Sequence, residues 1–252
     1  MDNGCKDAIR FEDVSLGYGN DEIVAGLNAR VPGRGITALL GQNGCGKTTV
    51  MRSLIKHIGL RMGKIYLNGD DIDKIEVEDI PRYVSYAPAE LEDVMGLRVI
   101  DLVSNARKGG RWMLKAEAAL ALREVGIGSL SERMFNELST GQKKLSLIAR
   151  SLAISAPIAL LDEPTSGLDP TNKQLIYKVI RRLARQQTSI LIATHDLDLA
   201  FLSDYVVALK EGALFKSGTA MDVLNGRVLT GLYDSRIDVR RIGGRRFAMH
   251  IR

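Results

Sequence analysis

The chain predicts an α/β domain built on a mainly parallel sheet, with an antiparallel β region near its start and a helical insert. Three observations carry this. Strand-like apolar runs alternate with helix-like runs through most of the 252 residues, the rhythm of a parallel-sheet core. A glycine-rich stretch, Gly41-Gln42-Asn43-Gly44-Cys45-Gly46-Lys47-Thr48-Thr49, falls between an apolar run and a helix-like pattern. Between about Leu91 and Glu137 the strand signals vanish.

Taken in order, Ile9 to Val31 carries alternating apolar positions with expected turns at Gly17, Gly19 and Gly26, an antiparallel β region. Ile36-Thr37-Ala38-Leu39-Leu40 reads as a buried strand leading into the glycine-rich stretch. Gly63-Lys64-Ile65-Tyr66-Leu67 reads as another strand, closing on an Asn68-Gly69 turn. Met113 to Val125 has apolar residues at helical spacing and defines the insert. The core resumes with Ile158 to Leu161, Ile190 to Ala193 and Val206 to Leu209, with a helix over Thr171 to Gln186 between the first two. The tail places a Gly243-Gly244 turn between Ile237–Arg241 and Phe247–Ile251, a hairpin pattern. The expected organisation is one domain over 1–252. Its core covers 8–90 and 138–218, its helical subdomain 91–137 and its C-terminal extension 219–252.

No run of eighteen apolar residues occurs, and Met1 to Asp7 is polar and acidic, so the expectation is a soluble, intracellular protein. Cys5 and Cys45 are too few and badly placed for a disulfide framework, which suits a reducing compartment. The net charge of +5 is spread along the chain apart from an Arg-rich end at Arg236 to Arg246, so a solvated surface is expected and no nucleic acid.

The glycine-rich stretch matches G-x-x-x-x-G-K-[ST] in full. Its glycines let the backbone turn tightly round an anion, so that N–H groups and the positive end of the following helix point at phosphates. Lys47 adds a charge for the β- and γ-phosphates, and Thr48 offers a hydroxyl to Mg²⁺. An ordinary glycine-rich turn would have the same composition, but the strand-loop-helix context favours the phosphate cradle and a P-loop NTPase core. Ile158-Ala159-Leu160-Leu161-Asp162-Glu163-Pro164 ends a buried strand in two acids, costly unless a cation or a reactive water compensates. Asp162 suits Mg²⁺ held through water, and Glu163 suits a general base for the water that attacks the γ-phosphorus.

With Leu138-Ser139-Thr140-Gly141-Gln142 added, the chain resembles the ATP-binding subunit of an ABC transporter over nearly all its length. That stretch resembles the LSGGQ signature, with Thr140 in place of the first Gly. At the start of a helix expected over Gln142 to Ile154 it presents N–H groups and a positive dipole to an anion. The resemblance implies that Ser139 and Gly141 bind the γ-phosphate of a nucleotide held by another copy, so that hydrolysis needs a head-to-tail homodimer in the ATP-bound state. It implies adenine stacking on Tyr18, γ-phosphate and water contact by His195, a bridge between subunits by Asp169 in Ser166-Gly167-Leu168-Asp169, and a further phosphate contact by Thr49. Gly41, Gln42, Asn43, Gly44, Cys45, Gly46, Lys47 and Thr48 complete the ATP-binding set, with Mg²⁺ as the second cofactor.

One position departs from the pattern. Where the family ends a strand in Tyr-Val-Pro-Gln, this chain has Tyr86-Ala87-Pro88-Ala89. Ala89 cannot ligand anything; Glu90 beside it could partly substitute, or nucleotide sensing by this loop is weakened. Because no membrane span accompanies the cassette, the resemblance implies an importer subunit with separate integral-membrane permease subunits, indirectly a substrate-binding protein, and a place on the cytoplasmic face of the membrane. Leu97-Arg98-Val99-Ile100-Asp101-Leu102-Val103 and the tail, with Gly218 to Leu224 leading into Val228 to Tyr233, resemble the subfamily serving iron-siderophore, haem and cobalamin uptake. The alternative is a soluble ABC ATPase for iron–sulfur cluster assembly.

Overall fold

The computed structural model describes residues 7–91, 96–108, 111–186 and 188–251. β1 (Asp7–Tyr18) and β2 (Asp21–Pro32) are followed by β3 (Gly35–Leu40), α1 (Lys47–Leu54), β4 (Leu60–Leu67) and β5 (Asp70–Asp71). β6 (Val84–Ala87), α2 (Val99–Ser104), β7 (Arg107–Lys108), β8 (Arg111–Trp112), α3 (Lys115–Glu124) and α4 (Thr140–Ile154) come next. Then come β9 (Ile158–Asp162), α5 (Pro170–Ala184), β10 (Ser189–Thr194), α6 (Leu197–Ala200) and β11 (Tyr205–Lys210). The last elements are β12 (Ala213–Thr219), α7 (Ala220–Val223), α8 (Gly226–Tyr233), β13 (Ile237–Ile242) and β14 (Arg245–His250). Two compact units divide the chain: Met1–Ile75 with Ser189–Arg252, and Glu76–Thr188.

In the first unit an antiparallel sheet runs in the order β2-β1-β4-β5. The alternation in Ile9 to Val31 places Ile9, Phe11, Val24 and Leu27 in the core. Only Gly19 of the three expected turn glycines lies between strands. Gly17 sits inside β1, where a Cβ would come within 1.9 Å of the Asp21 carbonyl oxygen. Gly26 lies inside β2 at φ 56, between Leu27 and Val24, where the register shifts between Val14 and Leu16 of β1, so it serves a bulge. Asn68 (φ 51) and Gly69 (φ 96) form the two-residue connection from β4 to β5, the paired positive φ of a hairpin turn.

β3 pairs in parallel with β10 on one side and β11 on the other, while β12 returns antiparallel to β11. Strands buried on both faces read as continuous apolar runs, which is why all three were visible as such. One face of β3 and β11 is covered by the tail: Leu40, Val206 and Ala208 pack with Val223, Leu229 and Leu232. The chain ends in the antiparallel pair β13 and β14, with Gly243 (φ 56) and Gly244 (φ 80) at its turn.

In the second unit β6 and β9 pair in parallel, Val84 opposite Ile158 and Ala87 opposite Leu161. α4 packs against both strands and against α2 and α3. Within the stretch expected to be helical, β7 and β8 form a two-residue antiparallel pair, too short to leave a period in the sequence. Helices also begin earlier than their apolar spacing indicates, because caps extend them. α4 starts at Thr140 behind Ser139, and α5 starts at Pro170, a residue pre-set for the first turn, behind Asp169.

Candidate nucleotide-binding and hydrolysis site

In the first unit, β3 delivers Gly41 from a fully buried Leu40. A Cβ on Gly41 would lie 2.4 Å from the Leu209 carbonyl oxygen and 2.5 Å from Cys45 Sγ, so no larger residue fits there. Gly44 and Gly46 have φ 82 and 99; Gly46 caps α1, and a Cβ on it would meet Val24 Cγ2 at 2.6 Å. At Gly44 a Cβ would meet nothing within 4 Å. The loop is therefore closed on the protein side at Gly41 and Gly46 and open at Gly44, which fits a cradle for an anion.

Lys47 is buried and donates from Nζ to the Gly41 carbonyl at 2.9 Å and the Gln42 carbonyl at 3.0 Å. Its ammonium is thus folded into the loop. Thr49 is buried and Thr48 half-buried at the start of α1. Cys45 is buried; Cys5 lies outside the described residues. Beside the loop, a cavity of about 220 Å³ is lined by Gln42, Asn43, Gly44, Cys45, Lys210, Glu211 and Asp234. The tail supports this side, with Gln42 Nε2 donating to the Leu232 carbonyl and Lys210 Nζ to the Gly231 carbonyl and to Asp234.

Thr194 of β10 pairs with Leu40 of β3, so exposed His195 and Gly41 leave the sheet at the same edge. The turn after His195 is fixed. Thr194 Oγ1 accepts the Asp196 N–H at 2.9 Å, and Asp196 caps α6 by accepting from Asp198 and Leu199. Tyr18 ends β1 with 41% of its surface exposed, and Arg52 of α1 donates to its hydroxyl at 3.3 Å. An aromatic ring is thereby held against the helix that follows the loop. The sequence signal for Arg52 was weak, since 34 residues separate the partners.

In the second unit, β9 ends at Asp162, which is 1% exposed and accepts from the Tyr86 hydroxyl at 3.1 Å. Among the described residues no group of three or more His, Cys, Asp or Glu is placed to hold a metal ion. Magnesium does not need one, because it keeps several waters and takes one or two protein ligands together with substrate phosphates. A buried strand-end carboxylate such as Asp162 fits that mode.

Glu163 has φ 45, a left-handed backbone that costs a non-glycine residue about 1–3 kcal/mol. Its carbonyl accepts two donors, Lys144 Nζ at 2.7 Å and the Ser166 N–H at 3.2 Å. Lys144 also donates to the Ala89 carbonyl at 3.1 Å. Burial lowers the Lys144 pKa, opposed by the nearby charges of Glu90, Glu163 and Asp162. Glu90 is exposed, and Ala89 contributes its backbone.

Ser139 caps α4 in a reciprocal box: its hydroxyl accepts the Gln142 N–H at 3.3 Å and the Gln142 side chain accepts the Ser139 N–H at 3.1 Å. Gly141 is buried, and a Cβ there would lie 2.9 Å from Asn172 Oδ1. Asp169 caps α5, taking the Asn172 N–H at 2.9 Å and the Asn172 side-chain amide at 2.6 Å. These bonds, the backbone one first, lower the Asp169 pKa. Asn172 and Lys144 escaped the sequence reading. Asn172 stands three residues after a capping Asp, and Lys144 falls on the apolar stripe with Gly141, Leu145 and Ile148.

A strand-loop-helix phosphate cradle, a strand-end histidine and a buried strand ending in two acids define a P-loop ATPase of the parallel-sheet class. The family profile described as "ABC transporter" matches residues 24–166. The chain is 36% identical to the iron(3+)-hydroxamate import ATP-binding protein FhuC of Bacillus subtilis, over 90% of this chain and 87% of that one. It is 31% identical to the achromobactin transport ATP-binding protein CbrD of Dickeya dadantii, over 90% and 88%. A solved metal-chelate type ABC transporter in an inward-facing conformation superposes with a TM-score of 0.80 at 25% identity, covering 97% of both chains. The chain belongs to the ABC transporter family, as an ATP-binding subunit that hydrolyses ATP to drive transport. Among the described residues no helix is long and apolar enough to cross a membrane.

Proposed function

We propose that this chain powers an importer of a metal chelate, taking its cargo class from the ferric-siderophore type, with haem and cobalamin as chemical neighbours, through separate permease subunits. The observation that carries this reading is the match over nine-tenths of the chain to a ferric-hydroxamate import subunit. Similarity to transport subunits does not favour iron–sulfur assembly. The protein then works at the cytoplasmic face of a membrane, docked on its permease, with a substrate-binding protein as an indirect partner. We assign the helical subdomain to 91–137 and the extension to 219–252.

In this reading Gly41 to Thr49 wrap the phosphates, and Lys47 exchanges its two carbonyl partners for phosphate oxygens. Tyr18 stacks on adenine. Thr48 and Asp162 would hold Mg²⁺, which would supply charge neutralisation at the phosphates. Glu163 takes the proton of the attacking water, and His195 holds that water and the γ-phosphate. Ser139 and Gly141 of a second copy close over the same nucleotide, and Asp169 lies at the junction. ATP closes the dimer and hydrolysis reopens it.

Purification of the tagged chain from detergent-solubilised membranes of its own cells tests the class. A co-purifying multi-span permease is expected. Recovery of soluble scaffold proteins instead would overturn the importer reading.

A further inference from the structure

We infer that Lys144 is a positioning residue for hydrolysis, tying the loop after β6 to the backbone of Glu163 and so fixing the direction of that carboxylate. The inference rests on the ATPase reading of Glu163 given above.

Lys144 is 6% exposed on the inner face of α4. A buried ammonium is costly unless its donors are used, and lysine is rarely found so deep without partners. Here the donors go to backbone. One bond reaches Glu163, just past the end of β9, and the other Ala89, two residues past the end of β6. The two strands are parallel neighbours, with Ala87 opposite Leu161, so one side chain clasps the two segments that leave the sheet there.

Glu163 is the residue where such a clasp has the most to hold. Its φ of 45 is unfavourable for any side chain with a Cβ, and such a conformation persists only where its surroundings over-determine it. Two donors on one carbonyl, Lys144 Nζ and the Ser166 N–H, fix the plane of the Glu163–Pro164 peptide. Fixing that plane fixes ψ, and with φ held it restricts where the carboxylate can point. A displacement of about an ångström in a reacting group costs on the order of a hundredfold in rate.

Charge supports the same role. Glu90, Asp162 and Glu163 all act on Lys144. A neutral side chain at 144 would take the ammonium donor from the carbonyl of Glu163. It would also leave the loop carrying Glu90 without its tie to β9.

The test uses the full-length chain and its variants K144M, which keeps length without a donor, and K144R, which keeps charge and donors. Three quantities are read: steady-state ATP hydrolysis, equilibrium ATP binding, and amide hydrogen exchange at Ser166 without nucleotide. For K144M the expected result is a kcat roughly tenfold or more below wild type, with KM and ATP affinity within about twofold. Faster exchange at Ser166 should accompany it, and K144R should recover most of the lost kcat. A kcat for K144M within about twofold of wild type overturns the inference. So does a loss that extends to ATP affinity and to exchange throughout α4 and that K144R does not restore, the signature of a merely structural staple.

Should K144M fail to fold, K144Q, a shorter donor, is read by the same criteria. A wild-type chain that hydrolyses no ATP would overturn the ATPase reading instead. The Ser166 exchange, read without nucleotide, still decides whether Lys144 holds the Glu163 carbonyl.

Discussion

Asp169 grips Asn172 twice, accepting its backbone N–H at 2.9 Å and its side-chain amide at 2.6 Å, and so locks the Asn172 carboxamide against Gly141. The turn after β9 and the first turn of α4 are thereby joined inside one chain. A Cβ at Gly141 would meet the carboxamide oxygen at 2.9 Å, so the carboxamide must shift against its bond to Asp169. Gly141→Ala should therefore destabilise the protein by about 1–3 kcal/mol through overpacking. The companion variant Gly141→Ala/Asn172→Ala should recover most of that loss, and urea denaturation of the two variants beside wild type measures it.

The same pair sets an acid response. Asp169 has its pKa lowered from 3.8, chiefly by the Asn172 backbone N–H, so its ionised form is favoured in the folded state. A depressed carboxylate stabilises the fold above its unfolded pKa, and that contribution is lost as pH falls through the folded value. The stability gap between wild type and Asp169→Ala should thus be full at neutral pH and narrow once pH drops below 3.8. Chemical denaturation along a pH series checks the sign.

Gly46 combines two constraints, a φ of 99 and a Cβ site 2.6 Å from Val24 Cγ2. Gly46→Ala should lose about 2–5 kcal/mol, the sum of left-handed strain and overpacking. Lys47→Ala, by contrast, removes the cation of the loop. ATP affinity should fall at least about tenfold, as expected for loss of a charge-assisted hydrogen bond worth about 1.5–3 kcal/mol. Equilibrium nucleotide binding separates the two effects.

Tyr18 carries a ring and a hydroxyl, and the hydroxyl accepts from Arg52. Tyr18→Phe should keep ATP affinity within about twofold, while Tyr18→Ala should lose about 1–3 kcal/mol of binding, the range measured for base–aromatic stacking. Equal losses in both variants would move the role from the ring to the Arg52 contact.

What the sequence disclosed, and what it withheld, follows from range. β3, β9, β10 and β11 were legible because each is buried as a continuous apolar run. The two-residue pair of β7 and β8 carries no period, and the true starts of α4 and α5 are set by capping bonds from Ser139 and Asp169. Gly26 was misread as a turn because a bulge and a turn both ask for positive φ. At the candidate site, residues inside contiguous motifs were found at once. Lys144 was missed because its partner Ala89 lies 55 residues away, and a lysine on an apolar stripe was the one signal that could have exposed it.

The central claim is that each ATP is enclosed by the phosphate loop of one copy and the Ser139 end of α4 of another. Size-exclusion chromatography with light scattering on Glu163→Gln, with and without saturating ATP and magnesium, tests it most directly. A monomer without nucleotide that becomes a stable dimer with ATP, together with loss of hydrolysis, is the predicted result. A variant that stays monomeric at saturating ATP, or that hydrolyses it at the wild-type rate, would contradict the account.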